Sequence, residues 1–429
     1  MNKEGENAYN LIKEIFPIFR CLMGEGVRQT LGIIKREIFQ NTARELMINS
    51  VPSGTKVFDW EIPKEWVIKE AYIEDESGNR LIDMNKNNLH VVGYSTSVDR
   101  WVNKEELLQY IYVQEDQPDV IPYVTSYYKE QYGFCMTKED RDRIDNKRYH
   151  MVINSSFKEG SLTYGELVIP GDTDQEVFFS TYICHPSMAN NECSGPAVAV
   201  ELIKYLSSIV KRKYTYHFLF IPETIGAITY MATEQHLISM KEKIIAGVVL
   251  TCVGDNNAYS LVHSRYGNNL SERVLGCILK NKENYKEYSY LERGSDERQY
   301  CAPGVDLPFA TFCRSKFHVY KEYHTSADDL SFISPEGLQG SIDILKDYIS
   351  ILEMNDRYSV TVLCEPQLGK RGLYPSISKK GKDSTTKIIQ DLIAYLDGNM
   401  DLIEISEMIH VDIKTVIRYV KLLLDAGLL

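Results

Sequence analysis

Five short stretches carry the residues best equipped for chemistry. They are Cys184-His185-Pro186 with the loop that follows to Asn191-Glu192-Cys193-Ser194-Gly195, then Pro222-Glu223-Thr224, Thr251 to Asp255, Ser295-Asp296-Glu297-Arg298, and Glu322-Tyr323-His324-Thr325. Imidazole and carboxylate groups are the types that hold a divalent metal or move protons. Glu223 stands out because it directly follows the apolar run Phe218-Leu219-Phe220-Ile221-Pro222, where an unpaired carboxylate would be costly to bury. A purely structural role would pair it with Arg293, Arg298 or a backbone amide at a helix start. A lone histidine at a strand end is equally a hydrogen-bonded structural residue. Asp296-Glu297-Arg298 reads also as a solvated charged loop, and Asp328 and Asp329 read as turn residues.

The elements that must position these groups follow from periodicity. After Lys147, short apolar runs (176–184, 216–221, 247–253 and 307–313) alternate with amphipathic helical patterns (195–206, 227–240, 269–282 and 335–352). Alternating strand and helix predicts an α/β fold, its sheet mostly parallel or mixed and covered by helices on both faces. In such a sheet the reactive groups gather at the carboxyl ends of the strands, where the first three stretches fall. Residues 1–50 are expected to add helices to this domain, and 51–132 to form an inserted β-rich domain with three tryptophans, Trp60, Trp66 and Trp101. These could fill the insertion's core or line a sugar-binding or subunit surface. The α/β domain takes 133–365, a Gly/Lys/Pro/Ser-rich linker 366–384, and a short helical module 385–429.

In order and spacing the five stretches resemble the zinc-dependent aminopeptidase superfamily of leucyl aminopeptidases, glutamate carboxypeptidase and glutaminyl cyclase, over roughly 157–352. The whole chain also resembles a narrower bacterial family of aminopeptidase-like proteins with an inserted β domain and a C-terminal winged helix, several of them encoded among polysaccharide-biosynthesis genes. The resemblance implies His185 and His324 as zinc ligands and Glu223 as the general base. It also exposes three departures. Asn191 stands where the bridging carboxylate belongs, Thr224 where a Glu would bind metal, and Thr251 where an Asp would.

Two zinc ions a few ångströms apart repel strongly unless anionic ligands offset them. With neutral residues at those three positions the expectation is one zinc per chain, held by His185, His324 and a third donor. Asn191 is one choice for it, and Glu192, Asp255 and Asp296 are others. Glu297 and Tyr323 are further candidates for metal or substrate contact.

The bulk numbers limit the partners. A formal net charge of −12 works against nucleic acid or an anionic membrane. In the C-terminal module Lys387, Lys414, Arg418 and Lys421 face seven acidic residues, the wrong balance for a phosphate-binding surface. Packing or homo-oligomer formation through this module or the insertion is therefore expected of it. Nine scattered cysteines without C-x-x-C spacing, and no signal-peptide pattern, predict a cytoplasmic protein with reduced thiols. The sequence thus predicts a metal-dependent amide hydrolase acting on a peptide or an N-acyl amino sugar. The alternative is a catalytically silent glycan- or peptide-binding protein with a degenerate metal site.

Overall fold

Runs such as Val177-Phe178-Phe179, Phe218-Leu219-Phe220 and Val248-Val249-Leu250 have no polar face to offer water, so they form strands buried on both sides. The computed structural model of the chain describes residues 3–127, 129–233, 235–373 and 384–429. Helices α1 (Lys3–Ile15) and α2 (Glu25–Thr42) and strand β1 (Met47–Pro52) open it. The next strands are β2 (Glu65–Asp75), β3 (Arg80–Asp83), β4 (Val98–Asn103), β5 (Arg148–Lys158) and β6 (Ser161–Ile169). Then come β7 (Glu176–Tyr182), α3 (Ser194–Ser208), β8 (Thr215–Ile221), α4 (Ile225–Ala232), α5 (His236–Lys243) and β9 (Ile244–Leu250). Strand β10 (Tyr259–Val262), α6 (Leu270–Leu279), β11 (Tyr285–Tyr288), β12 (Phe309–Cys313) and α7 (Pro335–Met354) complete this part.

The main sheet has the order β1-β6-β8-β7-β9-β12-β10-β11. Its centre, β8-β7-β9-β12, is parallel, while β1, β6 and β10 join antiparallel to their inner neighbours. The expected α/β fold with a mixed sheet is therefore the observed one. Helices α1 and α2 pack on α3. The first turn of α3 lies tight against the sheet, since a Cβ on Gly195 would come within 2.2 Å of the Thr181 hydroxyl and 2.5 Å of the Leu250 carbonyl. The stretch expected to form one helix over 227–240 is two, α4 and α5.

The insertion forms its own antiparallel sheet in the order β3-β2-β5-β4. Strand β5 lies beyond residue 132, yet it pairs along β2 and β4. Residues 159–160 then hand the chain directly to β6 of the main sheet. Neither strand falls in the apolar runs that periodicity singles out, which begin at residue 176. Trp66 is buried, donating Nε1 to the Ser95 carbonyl at 2.8 Å, whereas Trp101 is 42% exposed and stacks on His150.

A buried ionic network ties the main sheet to α4. His217 on β8 holds Glu166 of β6 at 2.8 Å and Glu176 of β7 at 3.1 Å through its two ring nitrogens, and Tyr230 donates to Glu166 at 2.7 Å. Burial alone would lower the His217 pKa, but hydrogen bonds to the two carboxylates outweigh it and raise it. Glu166 is raised by burial and lowered, on balance, by His217 and Tyr230. A raised histidine stabilises fully below its unfolded value, about 6.5, and loses that contribution as pH climbs through the folded one. The depressed Glu166 works in the opposite sense, its contribution fading only in acid. The urea midpoint is thus expected to decline between pH 6 and pH 9, and His217→Gln should flatten that decline.

Met1–Ser271 with Glu283–Asp343 form one compact unit and Glu272–Lys282 with Ile344–Leu429 the other. In the second, α8 (Ser384–Tyr395), α9 (Leu402–Met408) and α10 (Ile413–Asp425) supply the helices. Asp401 and Glu404 form a capping box on α9, and Asp412 caps α10. Val360 and Thr361 bond the backbone at Leu396 and Leu428, so strand-like chain well before residue 385 completes the module. Of the linker expected at 366–384, residues 374–383 lie outside the described residues. No helix among the described residues is long and apolar enough to cross a membrane.

Candidate metal centre

The carboxyl ends of β7 and β8 and the loop before α7 bring His185, Glu223 and His324 together. The His185 Nδ1 lies 2.7 Å from Glu192 Oε2, and its Nε2 lies 3.5 Å from Glu223 Oε2. A carboxylate can only accept, so Nδ1 carries a hydrogen, and Nε2 is the nitrogen turned to Glu223. The His324 ring lies 5.3 Å from that of His185, centroid to centroid, and the Tyr323 ring stacks on it at 3.8 Å.

Electrostatics separate the two imidazoles. Burial, and then the charges on His185 and His318, hold His324 well below the ordinary histidine value, so it is neutral, and its Nε2 is buried without a partner. Burial pushes His185 down as well, but the Cys184 sulfur and the Glu192 carboxylate overcome it and hold that ring well above the ordinary value. Burial raises Glu223 despite the neighbouring His185 and Arg298 charges.

Two further buried oxygens lack partners, Asn191 Oδ1 and Glu192 Oε1. Asn191 donates its amide to the Tyr182 hydroxyl at 3.1 Å, which turns Oδ1 the other way. The neutral His324 nitrogen and a spare amide oxygen are donors that suit zinc, and His185 Nε2 joins them by giving up its proton to the metal. A histidine oriented from behind by a carboxylate is also the usual outer support of a metal ligand. The residues present therefore fit one zinc ion. Among the described residues, the tightest set of metal-type atoms is Cys184, His185 and Glu192, all within 4.8 Å of one another. That trio uses the Nδ1 already spent on Glu192. Its sulfur accepts the Glu223 amide at 3.2 Å, and burial pushes its thiol up to about 11. It is better described as a hydrogen-bonded support for His185.

Two other candidates, Asp255 and Glu297, are committed to their own loops, and Asp296 borders the site. Asp255 accepts from the amides of Asn257 and Ser315, the Ser315 hydroxyl and the Asn190 side chain, so both oxygens are committed. Glu297 accepts from the Gly294 and Ser295 amides and the Thr311 hydroxyl. Both are loop-building carboxylates rather than free donors, and neither belongs to a solvated loop, being buried. Asp296 takes the Thr224 amide at 2.7 Å and leaves Oδ2 without a partner. Burial and then Glu223 push its carboxyl well up. Thr224 stands at φ 63°, and His324 at φ 55°, backbone strain of the kind that persists where surroundings over-determine it.

Three contributions escape sequence reasoning. Asp328 is buried and accepts the Asn190 and Asn191 amides at 2.6 and 3.0 Å, clamping the loop rather than merely turning the chain. Tyr123, from the insertion, sets its ring edge-on to both His185 and His324 at 5.3 and 5.1 Å. The Tyr123 amide also donates to the His324 carbonyl at 2.9 Å. Arg298 donates to the Thr224 hydroxyl. Asp328 and Arg298 stand out in the sequence in other roles, as a turn residue and as a partner for Glu223, and no motif or period marks Tyr123.

This sheet order, and a site at the carboxyl ends of its strands, define an aminopeptidase-like α/β protein with a C-terminal winged helix. The fold is shared with a zinc aminopeptidase of Bacillus subtilis (TM-score 0.58, 13% identity, 80% of this chain and 94% of that one). It is shared too with an M28 peptidase precursor of Shewanella amazonensis (TM-score 0.58, 11% identity, 85% and 96%). The chain belongs to the family described as a domain of unknown function, DUF4910, matched over residues 9–355, and a winged helix-turn-helix family matches 356–429. A Clostridium acetobutylicum protein, provisionally named a polysaccharide biosynthesis protein with an aminopeptidase-like domain, is 41% identical over 378 residues, 88% of this chain and 85% of its own length. A crystal structure of a provisionally assigned peptidase from that organism superimposes with a TM-score of 0.91 at 37% identity, covering 100% of this chain and 96% of that one.

Proposed function

We propose that the chain is a metal-assisted amide hydrolase that binds one zinc ion through His185 Nε2, His324 Nε2 and the Asn191 side-chain oxygen. The observation that carries this reading is the pair of buried, unpartnered atoms, His324 Nε2 and Asn191 Oδ1, in the same site as the carboxylate-oriented His185. Zinc bound there would supply Lewis-acid polarisation and a water of lowered pKa, near 7. Glu223 takes the proton of the attacking water and returns it to the leaving amine. Glu192 keeps His185 in its tautomer, and Tyr123 and Tyr323 pack the two rings in place. The relative's name supports a substrate from polysaccharide biosynthesis, either a peptide or an N-acyl amino sugar.

Elemental analysis of protein purified without chelator tests the metal. About one zinc per chain is expected, since one catalytic ion needs three protein ligands. Two tightly held ions would overturn the one-metal reading, and none after supplementation would favour the binding-protein alternative. Asn191→Asp adds an anionic oxygen without bulk and should tighten zinc roughly tenfold, the scale on which single groups around a metal act. A competition titration against a fluorescent chelator reads this directly, and unchanged affinity would remove Asn191 from the ligand set.

A further inference from the structure

The short helix Glu297–Tyr300 places a guanidinium with donors to spare beside the candidate centre. Arg298 sends Nη2 to the Thr224 hydroxyl, and its Nε is buried with no acceptor. Its charge is felt at Glu223, Asp296 and Tyr323, yet it forms no ion pair among the described residues. The carboxylates around it are oriented elsewhere. Glu297 spends both oxygens on backbone amides and Thr311, Asp296 turns Oδ1 to the Thr224 amide, and Glu223 faces His185.

Arg298 is half-buried as a residue, but its Nε is sealed from solvent, and an unsatisfied buried N–H in a folded protein calls for an absent partner. The Nε–H shares one edge of the guanidinium plane with an Nη2 hydrogen, an edge that matches the two oxygens of a single planar anion. We propose that Arg298 anchors a carboxylate of the substrate, so that the amide cleaved belongs to a carboxylate-bearing molecule such as an N-acyl amino acid, a peptide end or an acidic N-acyl sugar. A phosphate monoester is the poorer fit. It carries a charge of about −1.5 to −2 into a site already lined by Glu192, Glu223 and Asp296, whereas a carboxylate brings one. The assignment rests on the hydrolase reading only for where the scissile bond lies, because the anchor itself is a property of Arg298.

Calorimetric titration of the zinc-loaded full chain with N-acetylglycine and with neutral N-acetylglycinamide tests it. The carboxylate should bind at least tenfold more tightly, the scale of one charge-assisted fork. Arg298→Gln should erase the difference while leaving zinc content unchanged. Arg298→Lys keeps the charge but loses the fork and should cost several-fold in affinity for N-acetylglycine. Since zinc itself attracts carboxylates, the titrations are repeated on chelator-stripped protein, where the preference should persist in wild type and vanish in Arg298→Gln. A preference that survives in Arg298→Gln, Arg298→Lys binding as tightly as wild type, or displacement of N-acetylglycine by equimolar inorganic phosphate would each overturn the proposal. A chain that retains no zinc yet shows the Arg298-dependent preference would sink the hydrolase reading and leave the anchor standing. Zinc-dependent amide cleavage without the preference would do the reverse.

Discussion

Glu223→Gln is expected to give a folded protein with unchanged zinc content and amide hydrolysis reduced by about 10²–10⁴, the usual loss on removing a positioned general base. Three features of the residue lead there. Glu223 follows strand β8, whose buried run fixes the backbone, and its amide is spent on the Cys184 sulfur at 3.2 Å, so the side chain has little freedom. Its side chain is 18% exposed, enough to reach a substrate, and burial raises its pKa above the ordinary carboxylate value, the direction that suits a proton acceptor that must later return the proton. It approaches His185 Nε2 at 3.5 Å, beside the atoms offered to zinc. Glutamine keeps the shape and cannot accept the proton. Turnover is read on a panel of aminoacyl p-nitroanilides and N-acetylated amino acids, with zinc read by elemental analysis of the same samples. Loss of zinc together with activity would make Glu223 a ligand, and full activity would remove it from the reaction.

The strands that carry the site are legible in the sequence because each is a short, mostly apolar run followed by a polar group, and a buried parallel sheet is where such runs belong. Pattern alone therefore puts His185, Glu223 and His324 at strand or loop ends, and the departures at Asn191, Thr224 and Thr251 are visible as residue types. Residue type does not distinguish a free carboxylate from a committed one. Asp255 and Glu297 look as capable as Glu192 in the sequence, and only their hydrogen bonds show that every oxygen is taken up by loop amides and hydroxyls. Asp328 reads as a turn residue because its partners, the amides of Asn190 and Asn191, are remote in the chain. The limits of the insertion are hidden for a similar reason, since β5 lies past residue 132 and finds its partners, β2 and β4, far back in the chain. Tyr123 is the strongest case. A loop of the inserted segment delivers an aromatic ring onto both histidines, through a backbone bond to residue 324 that no local pattern could foretell.

Replacing His185 and His324 together by alanine should take zinc content from about one ion per chain to a background level, while Cys184→Ala with Glu192→Gln should leave most of it in place. The contrast separates two ways of using the same imidazole. If the metal sat on the Nδ1 side, the Cys184–His185–Glu192 trio would be the ligand set, and the second variant would be the one that empties the site. Against that stand the 2.7 Å contact of Nδ1 with Glu192, which is hydrogen-bond length, and the thiol held protonated by burial, its pKa pushed up to about 11. A thiol must lose its proton to bind zinc, and nothing around Cys184 favours the thiolate enough to offset its burial. On the Nε2 side, His324 is already neutral and its nitrogen has no other partner, so binding there displaces no hydrogen bond and no proton from that ring. Losing Glu192 should still cost roughly 10–100-fold in zinc affinity, because the carboxylate behind His185 fixes its tautomer and raises its basicity. A chelator titration would show this as weakened rather than abolished binding. Retention of zinc by the double-histidine variant, or its complete loss from the Cys184 and Glu192 variant, would move the centre to the other face of His185.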